Sequence, residues 1–470
     1  MISRTRQIRT GHGGRGVRAA TAVAAAAAIA LSGCDNLLDV EDPDVVTPDQ
    51  LEGPQAVPTL VNGAVRDFQE AYDDYVRYTS MFTDEMILAG TFQGRVEVDE
   101  RRIADQNQQI TGELYEPMQR ARQTQEDAIA ALEGSLDDPA FSEVRGAMRT
   151  GIARTNLFAG YLHVFMAELY CQAVVDPRGP GLSSDDVMEE ALGFLERAET
   201  VAEDIGNDAV ATAARVGQAR AHLWLGNLAQ ADQLSTVANV PDGFVSLVEY
   251  SANAPDQNNE LAQFTWGFIQ QIRWSVGDGS TAERDNEEFD YFDEWVAQGL
   301  IDPGPGGGLS SQNAVIPVIL QQLYDEQGAS MVLASGWEAR MIQAEVELRT
   351  GDPEVAEDDV NALLEDPAQS LNPMLAANPD LASSRTAPDG ETVPAMGAFQ
   401  SLDFTGSPSN DLPQLARARL AGLWLTGQRQ ATSRRFAEND GIDLYPTRNG
   451  GDLDVCFPVP QQEKDDNPNF

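Results

Sequence analysis

Between residues 59 and 239 apolar side chains recur every three or four positions, with polar residues between them. Ile152, Ala159, Leu162, Met166 and Leu169 form one such stripe. Val187, Ala191, Leu195, Ala198 and Val201 or Ala202 form a second, and Val216, Ala219, Leu223 and Gly226 continue the pattern. A period of 3.6 residues places each set on one face of an amphipathic helix. Two stretches are alike: Gln218–Ala231 (QARAHLWLGNLAQA) and Gln343–Ala356 (QAEVELRTGDPEVA). Aligning Gly226 with Gly351 superposes Ala219 on Ala344 and Ala231 on Ala356. Each reads as a helix, a turn at Gly-Asn or Gly-Asp, and a second helix, with small residues where the paired helices meet. Residues 185–202 read as a further second helix.

This unit resembles the tetratricopeptide repeat. The predicted fold is all-α, a tetratricopeptide-like scaffold of helical pairs (an α-α superhelix) carrying long, loop-rich excursions. Helical repeats are expected over about 143–239 and 336–365, and a C-terminal helix and tail over 414–470. The excursions are 241–335, with turn clusters at Ser251–Asn259 and the run Asp302–Ser311 (DPGPGGGLSS), and the Pro/Asn/Ser-rich 366–413. Loops of this length are usually functional or disordered.

The N-terminus follows other rules. Arg4, Arg6, Arg9, Arg15 and Arg18 precede the apolar run Ala19–Leu31, which is shorter than the ~20 residues a membrane span needs. A basic start and a short apolar segment ending in small residues define a secretory signal peptide, here 1–33. Leu31-Ser32-Gly33-Cys34 resembles the bacterial lipobox, which implies cleavage before Cys34 and acylation of its thiol and new N-terminus. Two or more acyl chains hold a protein at a membrane without a spanning helix. Residues 34–58, acidic and proline-containing, read as a tether, with a helix start near Thr47-Pro48 or Pro54. Gly11, Gly13 and Gly16 spell a GxGxxG, but no strand precedes it and it lies in the peptide to be removed, so it predicts no nucleotide site.

Charge narrows the partners. There are 75 Asp and Glu against 31 Lys and Arg, for a net charge of -44, and Lys464 is the single lysine. Nucleic acid and anionic lipid surfaces demand clustered positive charge, so neither is a partner. No catalytic constellation is legible. CxxC and HExxH spacings are absent, no G-x-S-x-G elbow occurs, and Lys464 has no glycine loop. His163 lies on an apolar helix face and His222 in a repeat helix, both expected as structural. With so many acids, neighbours such as Asp73-Asp74 read as solvated. The chain is expected not to be an enzyme and to need no metal or cofactor.

Five blocks, in order, resemble the SusD/RagB family of outer-membrane nutrient-binding lipoproteins. Cys34-Asp35-Asn36-Leu37-Leu38-Asp39-Val40 with Thr47-Pro48 is similar to its mature N-terminus. Gly151–Tyr170 is similar to its "RAxxYxxLxxLYG" helix, with Cys171 where a glycine is common. Trp337–Leu364 is similar to "AEAYLRLGDxxxAxxxxNxxR", and Arg417–Phe436 to "RxxELxxEGxRxxDLRRW". The end, Phe457-Pro458-Val459-Pro460 with Glu463 and Asn467-Pro468-Asn469, is similar to "PIPxxExxxNPN". The resemblance makes 59–470 one SusD-like domain. It implies a surface-exposed, lipid-anchored lid on a TonB-dependent (SusC-like) transporter that captures oligosaccharide, or in some members peptide, and catalyses nothing. The alternative is a tetratricopeptide lipoprotein serving as a scaffold for envelope assembly, which leaves the terminal block unexplained.

Sugars offer apolar C–H faces and many hydroxyls, so a binder needs aromatic platforms ringed by polar groups. Residues 264–295 have that mixture. Trp266, Trp274, Tyr291 and Trp295 are the candidate platforms, and Arg273, Asp285 and Asn286 the polar candidates. Tyr72, with Tyr75 and Tyr78, is a second candidate group, although their helical spacing also suits packing. Cys171 and Cys456 are the cysteines left after Cys34. Two thiols allow one bridge or two free side chains; because both fall in family-like blocks, we expect them to pair.

Overall fold

A computed structural model describes residues 53–83, 85–88, 92–176, 178–254, 257–262, 274–275, 327–365, 385–386, 392–393, 401–423, 425–445 and 453–470. The first long helix, α1 (Val57–Phe82), follows a single 3-10 turn at Pro54–Ala56. Of the two expected start signals, the Pro54 one lies at this entry, and Thr47-Pro48 lies outside the described residues. A short helix, α2 (Gln93–Asp99), leads to α3 (Glu116–Gly134), which a single π turn at Thr111–Tyr115 introduces.

The helical pairs follow in chain order: α4 (Arg145–Leu169), α5 (Ser184–Ile205), α6 (Asp208–Trp224), α7 (Leu228–Ser235), α8 (Gly336–Thr350) and α9 (Pro353–Glu365). Their ends are written locally. Ser183 and Asp186 form a reciprocal capping box at the start of α5, and Gly206 closes it in the left-handed conformation. The side chain of Asn207 caps α6. Gly226 and Gly351, the two aligned glycines, both have positive φ, 72° and 103°, so each ends its helix by the same left-handed turn. Packing explains the small residues. A Cβ on Gly160 would sit 2.6 Å from Leu195 Cγ, so α4 and α5 approach closely only through glycine. The stripes read from the sequence are the faces that meet: Ile152, Ala159, Leu162, Met166, Leu169, Val187, Ala191, Leu195, Ala198 and Val216 are all buried.

The excursion after α7, expected to be loop-rich, carries strands among its described residues. Its two ends pair as antiparallel strands, β2 (Val245–Val248) with β4 (Met331–Ser335), from Val245 opposite Ser335 to Val248 opposite Met331. The two ends of the excursion, Val248 and Met331, therefore lie side by side at one base. Every residue of β4 is buried, so alternation, the usual strand signal, is missing there. Two residues of the excursion, β3 (Trp274–Ser275), pair antiparallel with β1 (Ile87–Leu88) just past α1. Two more short strands, β5 (Arg385–Thr386) and β6 (Thr392–Val393), pair antiparallel in the second excursion. The C-terminal part holds α10 (Pro408–Gly422), α11 (Gln428–Asp440) and α12 (Gln461–Asp466). α10 begins at Pro408, earlier than the expected 414, because proline at a first helical position needs no N–H partner.

The last residues are stitched back onto α4. Phe457 N donates to Leu169 O at 2.8 Å, Cys171 N to Phe457 O at 3.2 Å, and Asn467 Nδ2 to Gly179 O at 2.9 Å. Cys171 and Cys456 are joined by a disulfide, with Cα atoms 5.2 Å apart across 285 positions of sequence. A cross-link over so long a loop removes much unfolded-state freedom. Cys171→Ala is expected to lower unfolding free energy by about 2–5 kcal/mol. Urea titrations with and without reductant check it: wild type should fall to the variant's stability on reduction, while the variant stays unmoved.

Candidate functional site

Helix α1 has two faces. Phe68, Tyr72, Tyr75, Val76 and Thr79 point into the core at helical spacing. There Phe68 stacks on Phe158 at 3.9 Å between centroids, and Tyr72 and Tyr75 stack on Phe165 at 5.3 and 4.3 Å. Arg66, Gln69, Glu70, Asp73, Asp74 and Arg77 form a second stripe with the same period.

That polar stripe faces the start of the excursion. Asp73 accepts the backbone N–H of Leu261 at 3.1 Å on one carboxylate oxygen and the N–H of Glu260 on the other. Buried Arg77 bridges Asp74 and Glu260. Gln69 Nε2 donates to the carbonyl of Glu249, and the Tyr250 hydroxyl donates to the carbonyl of Gln69 at 2.9 Å. Asn259 ties the two sides of the excursion base together. Its N–H donates to Gln327 O and its Nδ2 to Ala329 O, both at 2.7 Å.

Between stripe and excursion lies a cleft of about 240 Å³, lined in part by Gln69, Glu70, Asp73, Asp74, Tyr250 and Glu260. A second cleft of about 200 Å³ shares Glu70, Asp74 and Glu260 and reaches Arg95 and Glu113. Arg95 pairs with Glu113 at 2.7 Å, and the Tyr78 hydroxyl donates to the same carboxylate. Burial pushes the Asp73 carboxyl up to about 7, the neighbouring Glu260 adds to the rise, and Arg77 opposes it. Burial likewise holds Asp74 well above the usual carboxylate range, against the pull of Arg77. A cleft walled by carboxylates, amide oxygens and a phenol is built to accept hydrogen bonds from a polar ligand.

The expected ligand residues fare differently. Tyr72 is a core residue, not a platform: it is 1% exposed and its hydroxyl donates to Val332 O. Its i, i+3 relation to Tyr75 and its i+4 relation to Phe68 are packing spacings. Tyr75 and Tyr78 are also fully buried. The backbone of Trp274 pairs with Leu88 in the β1–β3 ladder, which brings this part of the excursion to the end of α1. Trp266, Arg273, Asp285, Asn286, Tyr291 and Trp295 lie outside the described residues, as do the Trp274 side chain and Cys34. Asp73 and Asp74 overturn the solvated reading. They are 2% and 5% exposed, and the signal that marks them is the polar stripe opposite the aromatic one.

His163 is structural. Its Nδ1 lies 2.8 Å from Ala159 O, and burial depresses it to about 4, so its ring is neutral at physiological pH. Among the described residues no group of His, Cys, Asp and Glu is placed to hold a metal ion, and no helix is long and apolar enough to cross a membrane.

No family model matches the sequence, and no curated protein matches it. Solved structures do match the fold. A SusD superfamily protein from Bacteroides thetaiotaomicron VPI-5482 superposes with a TM-score of 0.63 at 12% identity, over 89% of this chain and 99% of that one. A SusD/RagB family protein from the same organism gives 0.61 at 12% identity, over 88% and 94%. A SusD-like carbohydrate-binding protein from Bacteroides vulgatus ATCC 8482 gives 0.58 at 14% identity, over 89% and 97%. Almost the whole length of each relative is matched, and the chain has the SusD/RagB fold: a tetratricopeptide-like helical scaffold with long insertions.

Proposed function

We propose that this chain is a lipid-anchored binding protein of the outer membrane, exposed at the cell surface. It captures a nutrient oligosaccharide and passes it to a SusC-like TonB-dependent transporter, over which it sits as a lid. The observation that carries this reading is the fold shared over 89% of the chain with a structure described as a SusD-like carbohydrate-binding protein. The lipobox at Cys34 supports the anchor, and the excursion base beside the polar cleft supports a ligand role for that side of the molecule.

The test is isolation of the native lipoprotein from its own membranes in mild detergent. A large β-barrel receptor is expected to co-purify in near-stoichiometric amount. Recovery of envelope-assembly factors in place of a barrel would overturn the lid reading and favour the scaffold.

A further inference from the structure

The α1 cleft carries an imbalance of hydrogen-bonding groups. Gln69 is nine-tenths buried and lines it, and its Oε1 has no hydrogen-bond partner, while Nε2 is committed to Glu249 O. A buried acceptor left unmade costs free energy, and only a donor relieves it. Around it stand Glu70, Asp73, Asp74 and Glu260, acceptors all when ionised. The cations nearby are already engaged by these acids or by neighbouring Asp67. Arg77 bridges Asp74 and Glu260, and Arg120 reaches Glu70 at 2.6 Å and Asp67 at 4.0 Å. Arg66, at the cleft wall, lies 3.7 Å from Asp67.

We propose that this cleft selects ligands bearing a protonated primary amine, which places its N–H donors on Gln69 Oε1 and the Glu70, Asp73 and Glu260 carboxylates. This rests on the reading that the excursion-base cleft is a ligand-facing site, and it adds the chemical class of ligand. An ammonium offers three donors and one positive charge, the complement of a wall of acceptors in excess of cations. A metal ion is a poorer fit, since no His, Cys, Asp and Glu group among the described residues is placed to hold one. The high Asp73 carboxyl agrees: burial and Glu260 disfavour its charge, and a cation in the cleft would restore it. The amine has two possible sources, an amino sugar or a lysine side chain of a peptide.

Calorimetric titration of the full chain tests this with four probes: a glucosamine trimer, its fully N-acetylated form, trilysine, and trilysine with acetylated side chains. An amine form should bind at least about tenfold tighter than its acetylated partner, the worth of one charge-assisted hydrogen bond. Which amine binds names the source. Glu70→Gln, at a half-exposed position that leaves the core untouched, should lose most of that preference. Gln69→Met should weaken the amine form and spare the acetylated one.

Equal affinity for amine and acetylated probes overturns the proposal, as does amine binding that neither variant alters. Neutral oligosaccharide binding without amine preference would sink this inference and leave the proposed function standing. Absence of binding by every probe also sinks it. Only absence of a co-purified barrel touches the lid reading.

Discussion

Glu168→Gln is expected to destabilise the protein by about 3–5 kcal/mol, the cost of removing one partner from a buried ion pair. Glu168 and Arg220 are 1% and 4% exposed, on α4 and α6. Arg220 donates Nε to Glu168 Oε1 at 2.6 Å and Nη2 to Oε2 at 2.5 Å, a bidentate fork. Tyr75 places its hydroxyl 2.9 Å from Glu168 Oε2 and 2.9 Å from Gly427 O, so the pair also joins α1 to the turn before α11. Gly427 must be glycine there: its φ is +77°, and a Cβ would lie 2.4 Å from the Tyr75 ring. Burial opposes the Arg220 charge, yet Glu168, Tyr75 and Glu338 hold its guanidinium well above the usual arginine range. Neutralising Glu168 strands that charge in the core. A whole domain typically has only about 5–15 kcal/mol in hand, so the variant should unfold at much lower urea. The double variant Glu168→Leu with Arg220→Leu should be less destabilised than the sum of the singles, because it removes both charges. Additivity of the two singles would show that the fork contributes nothing as a pair.

This pair explains why parts of the molecule were legible before its structure and parts were not. The helices were readable because their stripes keep a 3.6-residue period from Ile152 to Leu223, and because Gly226 and Gly351 mark equivalent turns. The family-like blocks were readable as strings, but their meaning lay between blocks. Glu168 stands in the block 151–170, Glu345 in 337–364, and Arg419, Arg434 and Arg435 in 417–436. Arg434 donates to Ala167 O at 3.1 Å and Tyr170 O at 2.9 Å, capping the last turn of α4 from another block. Such partners are far apart in sequence, 90 residues for Glu345 and Arg435 and 267 for Ala167 and Arg434, and spacing along one chain says nothing about them. The same holds for β2 and β4, whose pairing closes the excursion across more than eighty residues.

The candidate site is less legible in the sequence for a related reason. The row of aromatics on α1 has the composition of a sugar platform, but Tyr72 stacks on Phe165 in the core. Aromatic composition does not distinguish a platform from packing; the company on the same helix face does, and Phe68 and Val76 share the Tyr72 face. Adjacent acids are common in so acidic a chain, so from sequence alone Asp73 and Asp74 read as solvated. Their burial comes from the excursion folding back over α1, a tertiary event. What the sequence does contain is the stripe of six polar residues from Arg66 to Arg77, and its period was visible.

The other large expected effect is a loss of stability with acid that belongs to Glu345. This residue, 1% exposed on α8, accepts from Arg435 through both oxygens, with Nη2 at 2.7 Å from Oε2. Arg349 Nε donates to it at 2.8 Å and Arg419 lies 3.5 Å away. Arg349 turns its other two nitrogens to Asp440 at 2.8 and 2.7 Å, so one carboxylate on α8 gathers guanidiniums from its own helix, α10 and α11. Burial pushes the Glu345 carboxyl up, but Arg435, Arg349 and Arg419 outweigh it and hold it at about 2, against 4.5 for an ordinary glutamate. Arg419 is pushed down to about 10 by burial, with Arg435 adding to the fall against Glu345, which marks a cluster that could not tolerate losing its anion. A carboxyl depressed on folding stabilises above its unfolded value and loses that contribution as pH falls toward its folded one. The window is therefore pH 4.5 down to about 2, and the shift corresponds to about 3 kcal/mol. Asp73, raised to about 7, acts with the opposite sign and over a higher window, gaining stability as pH falls from 7 toward 3.8, so the two do not mask each other below pH 4. Glu345→Gln has no carboxyl to titrate. Its deficit against wild type, about 3–5 kcal/mol at pH 7, should hold steady down to pH 4.5 and shrink below it. Urea unfolding of both proteins at stepped pH reads the difference directly. A gap that stays constant below pH 4.5 would mean that the arginines around Glu345 do not depend on its charge.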